Sequence, residues 1–272
     1  MRQYGGRARL LAGGTDLIVQ MKKGKMPTPA CLVNMKRIPG LSGITLNPGH
    51  IRVGALTTLE ELGHSPIIKD KARILSEAAL IMGGPPIRNL ATIGGNLCNA
   101  SPAADLAPPL LALDAQVTIA GNGQTRQLPL MQFFTGPGQT CLKLGEILAE
   151  ITVPEFQPPW GSHFIKHGFR EAMAIAVVGT AARIDLDDRG KIRGARLALG
   201  AVAPTPIRVE RAEECLLGME LDDKALDEAA EEAVKASRPI SDIRASATYR
   251  LKMIRALTKR ALKTAYEEAK KG

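Results

Sequence analysis

Two glycine pairs, far apart in the chain, are the residues whose type and spacing most directly indicate chemistry. The first glycine segment is 10–17 (LLAGGTDL) and the second is 91–96 (ATIGGN); each has an apolar run before the glycines and a small hydroxyl residue close by. Glycine lacks a Cβ, so it allows left-handed backbone and lets amides approach a ligand. Amides at such a turn, or at the start of the helix that follows, bind anions. Two facing segments could hold both phosphates of a dinucleotide.

Neither segment has the sequence of a standard phosphate-binding loop. The chain contains no GxxxxGK[ST] motif and no GxGxxG motif followed by an acidic residue at the ribose-binding distance. Taken alone, Gly13 and Gly14 are more typical of a structural turn. The prediction of an anion site therefore depends on the pair of segments.

A polar stretch follows the second glycine pair. Within 92–105 it carries Asn96, Asn99, Ser101 and Asp105, whose side chains could hydrogen-bond a polyol chain or the edge of a ring. The alternative is a loop that caps its own turns, with Asp105 as the N-cap of the next helix. The residues alone leave both interpretations open.

Other candidate chemistry is sparse. The only histidine pair with i,i+4 spacing, His163 and His167, falls in a predicted strand, so no metal site is expected. The four cysteines form no CxxC pair, which disfavours zinc, iron–sulfur and disulfide frameworks, and Cys98 is expected to be a small buried thiol. Phe164 and Lys166 share one face of that strand. Such a lysine could lie near an electron-rich ring, although a solvated lysine is commoner.

The composition is that of a soluble globular protein. The chain has 272 residues, 45% of them hydrophobic and 23% charged, which is enough for two domains. Its formal net charge of +9 suits an anionic cofactor, an acidic partner or nucleic acid, but 3% aromatic content without basic–aromatic interleaving disfavours nucleic acid. No apolar run is long enough to cross a bilayer and no secretory signal is evident, so a cytoplasmic location is expected.

The elements predicted to position these residues begin with a βαβ unit. Strands at 9–12 and 31–34 flank a helix at 15–21, a pattern that permits a parallel sheet. The first half continues with further strands, helical stretches and a hairpin: strand 51–54, helices near 59–62, 67–82 and 103–113, hairpin strands 116–119 and 125–128, and strand 146–153.

A proline-rich stretch at 154–161 is the predicted domain boundary. Beyond it, segments 163–167, 176–186 and 193–202 predict antiparallel strands, and two apolar stripes, at 226–234 and 251–265, predict helices. We therefore expect an α+β protein with a first domain at 1–156, divided into subdomains of about 1–54 and 55–156, and a second domain at 160–272. The basic stretch from Arg244 to Lys271 is interpreted as the solvated face of a helix.

Read together, these segments resemble the FAD-binding subunit of the molybdenum hydroxylases, the group of xanthine dehydrogenases and aldehyde or carbon monoxide oxidoreductases. The resemblance covers almost the whole chain, and among its branches the chain looks most like the FAD-binding subunit of bacterial xanthine dehydrogenases. It rests on these motifs: LLAGGTDL (10–17), PIRNLATIGGNLCN (86–99), SPAAD (101–105), FTGPG (134–138), EIL (146–148), APTPIR (203–208), RAS (244–246) and YR (249–250).

This resemblance implies a PCMH-like fold, in which two α/β subdomains hold FAD between them and a three-stranded antiparallel sheet with helices follows. It implies that both glycine segments cradle the pyrophosphate and adenosine side, that Asp105 binds the ribityl or phosphate-linked portion, and that Ile147 and Leu148 pack on the isoalloxazine. Phe164 and Lys166 would approach the ring edge. Lys166, as the catalytic residue, would stabilise the anionic reduced flavin. The implied cofactor-binding residues are Leu11, Ala12, Gly13, Gly14, Thr15, Asp16, Leu17, Thr92, Ile93, Gly94, Gly95, Asn96, Asp105, Ile147, Leu148, Phe164 and Lys166, with no metal ligand among them.

The resemblance also implies partners. A large molybdenum-binding subunit would hydroxylate the substrate and a small subunit would carry [2Fe–2S] clusters, in a cytoplasmic heterotrimer where FAD delivers electrons to NAD or another acceptor. The alternatives are a self-contained flavin oxidoreductase and a non-catalytic scaffold subunit. Two features depart from the family pattern: the family has a further strand and helix before the first glycine segment, and Ala174 stands where it favours Asp.

Overall fold

The computed structural model describes residues 3–272, which begin with a small parallel βαβ unit. Strand β1 (Ala8–Leu11) is followed by helix α1 (Leu17–Lys22) and strand β2 (Cys31–Asn34). The two strands pair in parallel, from Ala8 opposite Cys31 to Leu11 opposite Asn34, so the predicted parallel βαβ unit is confirmed. None of the residues of α1 is buried. We call residues 3–43, which precede the first sheet, the N-terminal lobe; it has little core of its own.

A five-stranded antiparallel sheet forms the body of the first half. Its strands are β3 (Ile44–Asn47), β4 (His50–Gly54), β5 (Gln116–Gly121), β6 (Gln124–Pro129) and β9 (Glu146–Pro154), in the spatial order β3-β4-β9-β5-β6. The predicted hairpin is confirmed: β5 and β6 join through Asn122 and Gly123, both of which have positive φ. Strand β3 was not predicted.

Six helices lie between β4 and β5, and one of them contains the second glycine segment. They are α2 (Leu59–His64), α3 (Pro66–Lys71), α4 (Arg73–Leu80), α5 (Pro85–Arg88), α6 (Ile93–Asn99) and α7 (Ala107–Ala112), followed by the short strands β7 (Phe134–Gly136) and β8 (Gln139–Thr140). The single helix expected at 67–82 is wrong, because the chain breaks at Ala72, whose φ of −151° and ψ of 48° are not helical. The run at 103–113 is helical only in α7, which holds Pro108 and Pro109 in its first turn, where proline is tolerated.

The second half is a sheet covered by helices, as predicted. Strands β10 (Trp160–His167), β11 (Val178–Leu186) and β12 (Ile192–Gly200) are antiparallel neighbours, and a two-residue strand β13 (Ile207–Arg208) adds a fourth to the expected three. Helices α8 (Glu210–Cys215), α9 (Asp223–Ala236) and α10 (Ala247–Ala269) follow. The apolar stripes of α9 and α10 face a shared core that includes Leu226, Ala229, Ile254 and Leu257, so both predicted helices are confirmed.

The two halves share packing. The main core of the first sheet extends into β10, β11 and β12 through Phe164, Ala181 and Ala198. The fold is mixed α and β, in agreement with the predicted α+β class. In the described part of the chain, no helix has the length and hydropathy needed to span a membrane.

Candidate functional site

The two glycine segments meet at one open cleft. A Cβ built on Gly95 would lie 3.9 Å from the Cβ of Ala12, and one built on Gly13 would collide with the carbonyl oxygen of Leu90. The segments are therefore in contact, as the dinucleotide hypothesis required. On the same wall, Gln20 of α1 donates a hydrogen bond to Asn99 of α6 at 3.4 Å.

The first glycine segment leaves its backbone amides free. The chain turns from β1 into α1 at Gly14, whose φ of +76° lies in the left-handed region that glycine favours. Within residues 3–272, the amides of Gly14, Thr15, Asp16 and Leu17 donate no hydrogen bond to another protein group. The next amide along the chain, that of Ile18, donates to the carbonyl of Gly14. Successive free amides of this kind form a concave anion-binding surface.

The second glycine segment is different: of the two expected settings, a turn or a helix start, it is a helix start, and its amides have partners within the protein. Gly94 and Gly95 lie inside the first turn of α6. The amides of Ile93 and Gly94 donate to the carbonyls of Thr57 and Ala55, and the amide of Gly95 donates to Oγ1 of the N-cap Thr92 at 3.0 Å. Here glycine serves close packing instead, since a Cβ on Gly94 would lie 2.6 Å from the Ala55 carbonyl oxygen.

Asn96 presents an unsatisfied acceptor at the cleft. Its Nδ2 donates to the sulfur of Met82 at 3.6 Å, whereas its Oδ1 is buried and has no hydrogen-bond partner among the described residues. A buried acceptor without a partner carries a free-energy cost that a ligand donor would remove. The polar stretch at 92–105 therefore contributes at least one group to this cleft.

The opposite walls are largely apolar. Ile147 and Leu148 of β9 line the cleft, and their packing on an isoalloxazine ring stays a prediction. Local patterns gave no signal for four further lining residues, Met35, Leu56, Met82 and Leu142. Five predicted residues are absent from the lining, and two of them belong to the glycine segments: Leu11 lies in β1 and Ile93 is fully buried.

Two polar side chains on the cleft are solvent-exposed. Cys98 is exposed, so the expectation of a buried thiol is wrong. Asp16 occupies the N-cap position of α1 without capping it, and desolvation raises its pKa above the ordinary aspartate value. It is the only acidic residue among those that line the cleft.

Asp105 and Lys166 lie outside this lining and bind each other. Nζ of Lys166 donates to Oδ2 of Asp105 at 2.6 Å, and both side chains are only 8% exposed. Burial raises the pKa of Asp105, and the Lys166 ammonium partly counteracts that shift. The solvated-lysine interpretation is wrong, and so is the N-cap interpretation of Asp105, because the N-cap of α7 is Leu106 and has no side-chain hydrogen bond.

A second depression lies beside this ion pair, on the second half of the chain. It is lined by Lys166, His167 and the loop that follows β10, together with Ile81. His167 contacts the hydroxyl of Tyr249 at 3.0 Å. Phe164, expected near the ligand, is buried in the main core and lies outside both linings. The predicted site residues thus divide into a cleft group and a buried group near β10.

Comparisons with known proteins identify relatives along the whole chain. Residues 1–156 match the family described as the FAD binding domain in molybdopterin dehydrogenase, and residues 163–265 match the CO dehydrogenase flavoprotein C-terminal domain. The chain is 37% identical over 266 residues to the xanthine dehydrogenase FAD-binding subunit of Escherichia coli O157:H7, covering 97% of this chain and 90% of that protein. It is 35% identical over 266 residues to subunit alpha of the 6-hydroxypseudooxynicotine dehydrogenase complex of Paenarthrobacter nicotinovorans, covering 98% and 89%.

A solved structure agrees with the sequence comparisons. A chain of carbon monoxide dehydrogenase from Hydrogenophaga pseudoflava superposes with a TM-score of 0.94 at 34% identity, covering 98% of this chain and 92% of that one.

Proposed function

Because this chain belongs to the family of FAD-binding subunits of the molybdopterin dehydrogenases, we propose that it holds FAD in the cleft between its two glycine segments. From there it passes electrons from the [2Fe–2S] clusters of a small partner subunit to NAD or another acceptor. The substrate is oxidised on a large molybdenum-binding subunit. These partner roles rest on the relatives, which are named as subunits or medium chains of dehydrogenases.

The single observation that carries the proposal is the run of four free amides at 14–17 facing a cleft closed by a second glycine segment. Free amides of this kind suit the negative charge of a diphosphate. The buried Oδ1 of Asn96 can accept a hydrogen bond from a hydroxyl or amino group of the same ligand. The apolar side chains of Leu142, Ile147 and Leu148 suit a planar ring. These donors, acceptors and apolar walls fit FAD.

When bound, FAD supplies the redox chemistry by taking up electrons and releasing them to an acceptor. The chain's own residues bind and orient it. The amides at 14–17 hold the diphosphate, and the packing of Gly94 against Ala55 fixes α6 against the sheet.

The Asp105–Lys166 pair has a positioning role in this proposal. A buried ion pair carries no net charge, so a paired Lys166 supplies less positive charge to a flavin ring than a free ammonium does. The pair instead connects the segment before α7 to β10 and thereby positions the residues around the second depression. Phe164, in the same strand, contributes through the core and not through direct contact with the cleft.

Gly95 offers the sharpest test. A Cβ there lies 2.9 Å from Oγ1 of the N-cap Thr92 and 3.9 Å from the Cβ of Ala12, so valine disturbs both the start of α6 and the gap between the segments. Gly95→Val should therefore weaken FAD binding at least about 100-fold, or roughly 2.7 kcal/mol. The matched control is Gly6→Val, because a Cβ on Gly6 meets nothing within 4 Å and its φ is not positive. Titration of the flavin-stripped full chain, followed by flavin fluorescence, measures both.

The outcomes separate the possible functions. Full-affinity binding by Gly95→Val would place FAD outside this cleft. A wild-type chain that binds no flavin would be the scaffold subunit, and one that oxidises a substrate without partners would be a self-contained flavin oxidoreductase. Co-purification with the products of neighbouring genes, followed by cofactor analysis, tests the molybdenum and iron–sulfur partners.

A further inference from the structure

Positive charge is distributed very unevenly along this chain. Residues 3–59 contain eight Lys and Arg but a single acidic residue, Asp16, whereas residues 60–272 contain 27 Lys and Arg and 26 Asp and Glu. One region of excess positive charge is therefore residues 3–59, which comprise the N-terminal lobe and strands β3 and β4. The basic stretch from Arg244 to Lys271, with nine Lys and Arg and two Glu, carries an equal excess, and the residues between the two regions are net acidic.

The bases of residues 3–59 are not neutralised locally. Of the eight, Arg52 forms an ion pair, with Glu150, and within the described residues the other seven form none. Elsewhere many bases are paired; on α10, for example, Lys259 pairs with Asp227 and Arg255 with Glu231. Unpaired bases leave their field directed into solvent.

Five of these bases are close in sequence to residues that line the cleft, and we call them the basic rim. Each lies within three residues of a side chain that lines the cleft: Arg9 next to Leu10, Lys22 and Lys23 after Gln20, and Lys36 and Arg37 after Met35. Three residues span at most about 11 Å of chain, which is close to the Debye length of about 8 Å at physiological salt. The rim can therefore act electrostatically on an anion that approaches the free amides at 14–17.

We propose that the basic rim captures the dinucleotide from solution by electrostatic steering and so sets the association rate of FAD. The inference rests on the proposed function, since it names how the cofactor reaches that cleft. The rim residues are long, exposed and unpaired, so they act at a distance, before contact is made. The free amides and apolar walls then determine how long the bound ligand stays. Steering predicts a change in association rate with little change in dissociation rate.

The test is stopped-flow binding of FAD to the flavin-stripped full chain over a range of salt concentrations. The triple variant Lys22→Glu/Lys23→Glu/Lys36→Glu should lower the association rate constant about 10-fold or more at an ionic strength of about 0.02 M. The difference should shrink below about twofold near 1 M salt, where the Debye length is about 3 Å. The dissociation rate constant should stay within about twofold at every salt concentration.

The matched control is Lys252→Glu/Arg260→Glu/Lys263→Glu, which changes the net charge equally at exposed positions of α10, away from the cleft. It should lower the association rate much less.

An equal loss of association rate in both variants would overturn the proposal, because only total charge would then matter. An unchanged association rate of FAD in the rim variant would also overturn it. If that variant binds FAD at the wild-type rate but no longer binds an acidic partner protein, the rim serves protein docking. If the wild-type chain takes up no FAD, the proposed function and the steering both fail; if it binds FAD and the rim variant matches it, only the steering fails.

Discussion

At the scale of single residues, the buried pair of Asp105 and Lys166 is the most consequential contact outside the cleft. Sixty-one positions separate the two residues, yet their side chains meet at 2.6 Å where the segment before α7 faces β10. The second carboxylate oxygen of Asp105 is buried without a partner among the described residues. The ammonium of Lys166 is therefore the main compensation for a buried carboxylate, which makes the pair sensitive to loss of either member.

Replacing Lys166 with methionine should lower the free energy of unfolding by about 3 to 5 kcal/mol, because it leaves the Asp105 carboxylate buried and unpaired. Chemical denaturation of the full chain measures this loss. The control is the double variant Asp105→Asn/Lys166→Met, which removes the charge as well and should recover most of the stability. A single variant as stable as the wild type would show that the pair contributes little.

The same variant has a defined pH dependence. Burial raises the pKa of Asp105, and removal of Lys166 removes the charge that lowers it. A folded-state pKa above the unfolded value means that the native state binds more protons, so stability falls as pH rises. The deficit of Lys166→Met should therefore be largest at alkaline pH and shrink as pH falls toward the raised pKa of Asp105. A pH-independent deficit would contradict an origin in this carboxyl group.

Local sequence patterns identified the glycine segments and Asp105, but not the residues that contact them. The types and spacing of Gly13, Gly14, Gly94 and Gly95 were sufficient to predict that the two segments meet, because a site for the two phosphates of a dinucleotide needs both segments. The use of each glycine could not be predicted, since it depends on backbone from elsewhere in the chain, such as Leu90 beside Gly13 and Ala55 beside Gly94. For the same reason, neither interpretation of Asp105 included Lys166.

At the scale of elements, the N-terminal lobe stands out because it is poorly packed. It offers a two-stranded parallel sheet and a six-residue helix, and Ala8, Met35 and Leu41 are its buried apolar residues. A two-stranded sheet is marginal without further packing. Yet this lobe carries the free amides of the cleft, so ligand binding and the ordering of the lobe should be coupled.

Hydrogen exchange with and without FAD tests this coupling. FAD at about 100 times its dissociation constant should stabilise the bound lobe by about 2.7 kcal/mol, which corresponds to about 100-fold slower exchange of the amides of β1, α1 and β2. The amides of α9 and α10 serve as an internal control and should change little, because they belong to a separate, well-packed core. Equal protection of both regions would show global stabilisation and no special coupling of the lobe.

Long periodic elements were predictable, and short ones were not. The stripes of α9 and α10 repeat over several turns, and the strands β10, β11 and β12 are long enough for their pattern to be visible. Strands β3 and β13 have four and two residues, and they are strands because a neighbour pairs with them. The break at Ala72 is equally invisible to periodicity, because the apolar residues on either side continue one helical pattern.

At the scale of the whole molecule, a cluster of charges fastens the first sheet's helices to the second sheet. Asp114, just after α7, binds Arg196 and Arg208 at 2.9 Å and Arg183 at 3.1 Å. Arg183 is 4% exposed, also donates to the Ala112 carbonyl, and stacks on the ring of Phe156 at 3.9 Å. One carboxylate therefore holds three strands of the second half of the chain.

Asp114→Asn isolates the contribution of this charge. Asp114 has a φ of +50°, and asparagine tolerates the left-handed region as well as aspartate does, so the backbone should not change. Loss of the charge leaves Arg196 without a carboxylate partner, whereas Arg183 keeps Asp185 and Arg208 keeps Glu213. The free energy of unfolding should fall by about 1 to 3 kcal/mol. The control is Asp227→Asn on α9, an exposed partner of Lys259, which should cost less than about 1 kcal/mol.

Since the cluster joins the two halves of the chain, the loss in Asp114→Asn should appear in calorimetry as unfolding of both halves at a lower temperature. If only one half unfolds earlier, the cluster stabilises that half alone, and the shared apolar core is what couples the two.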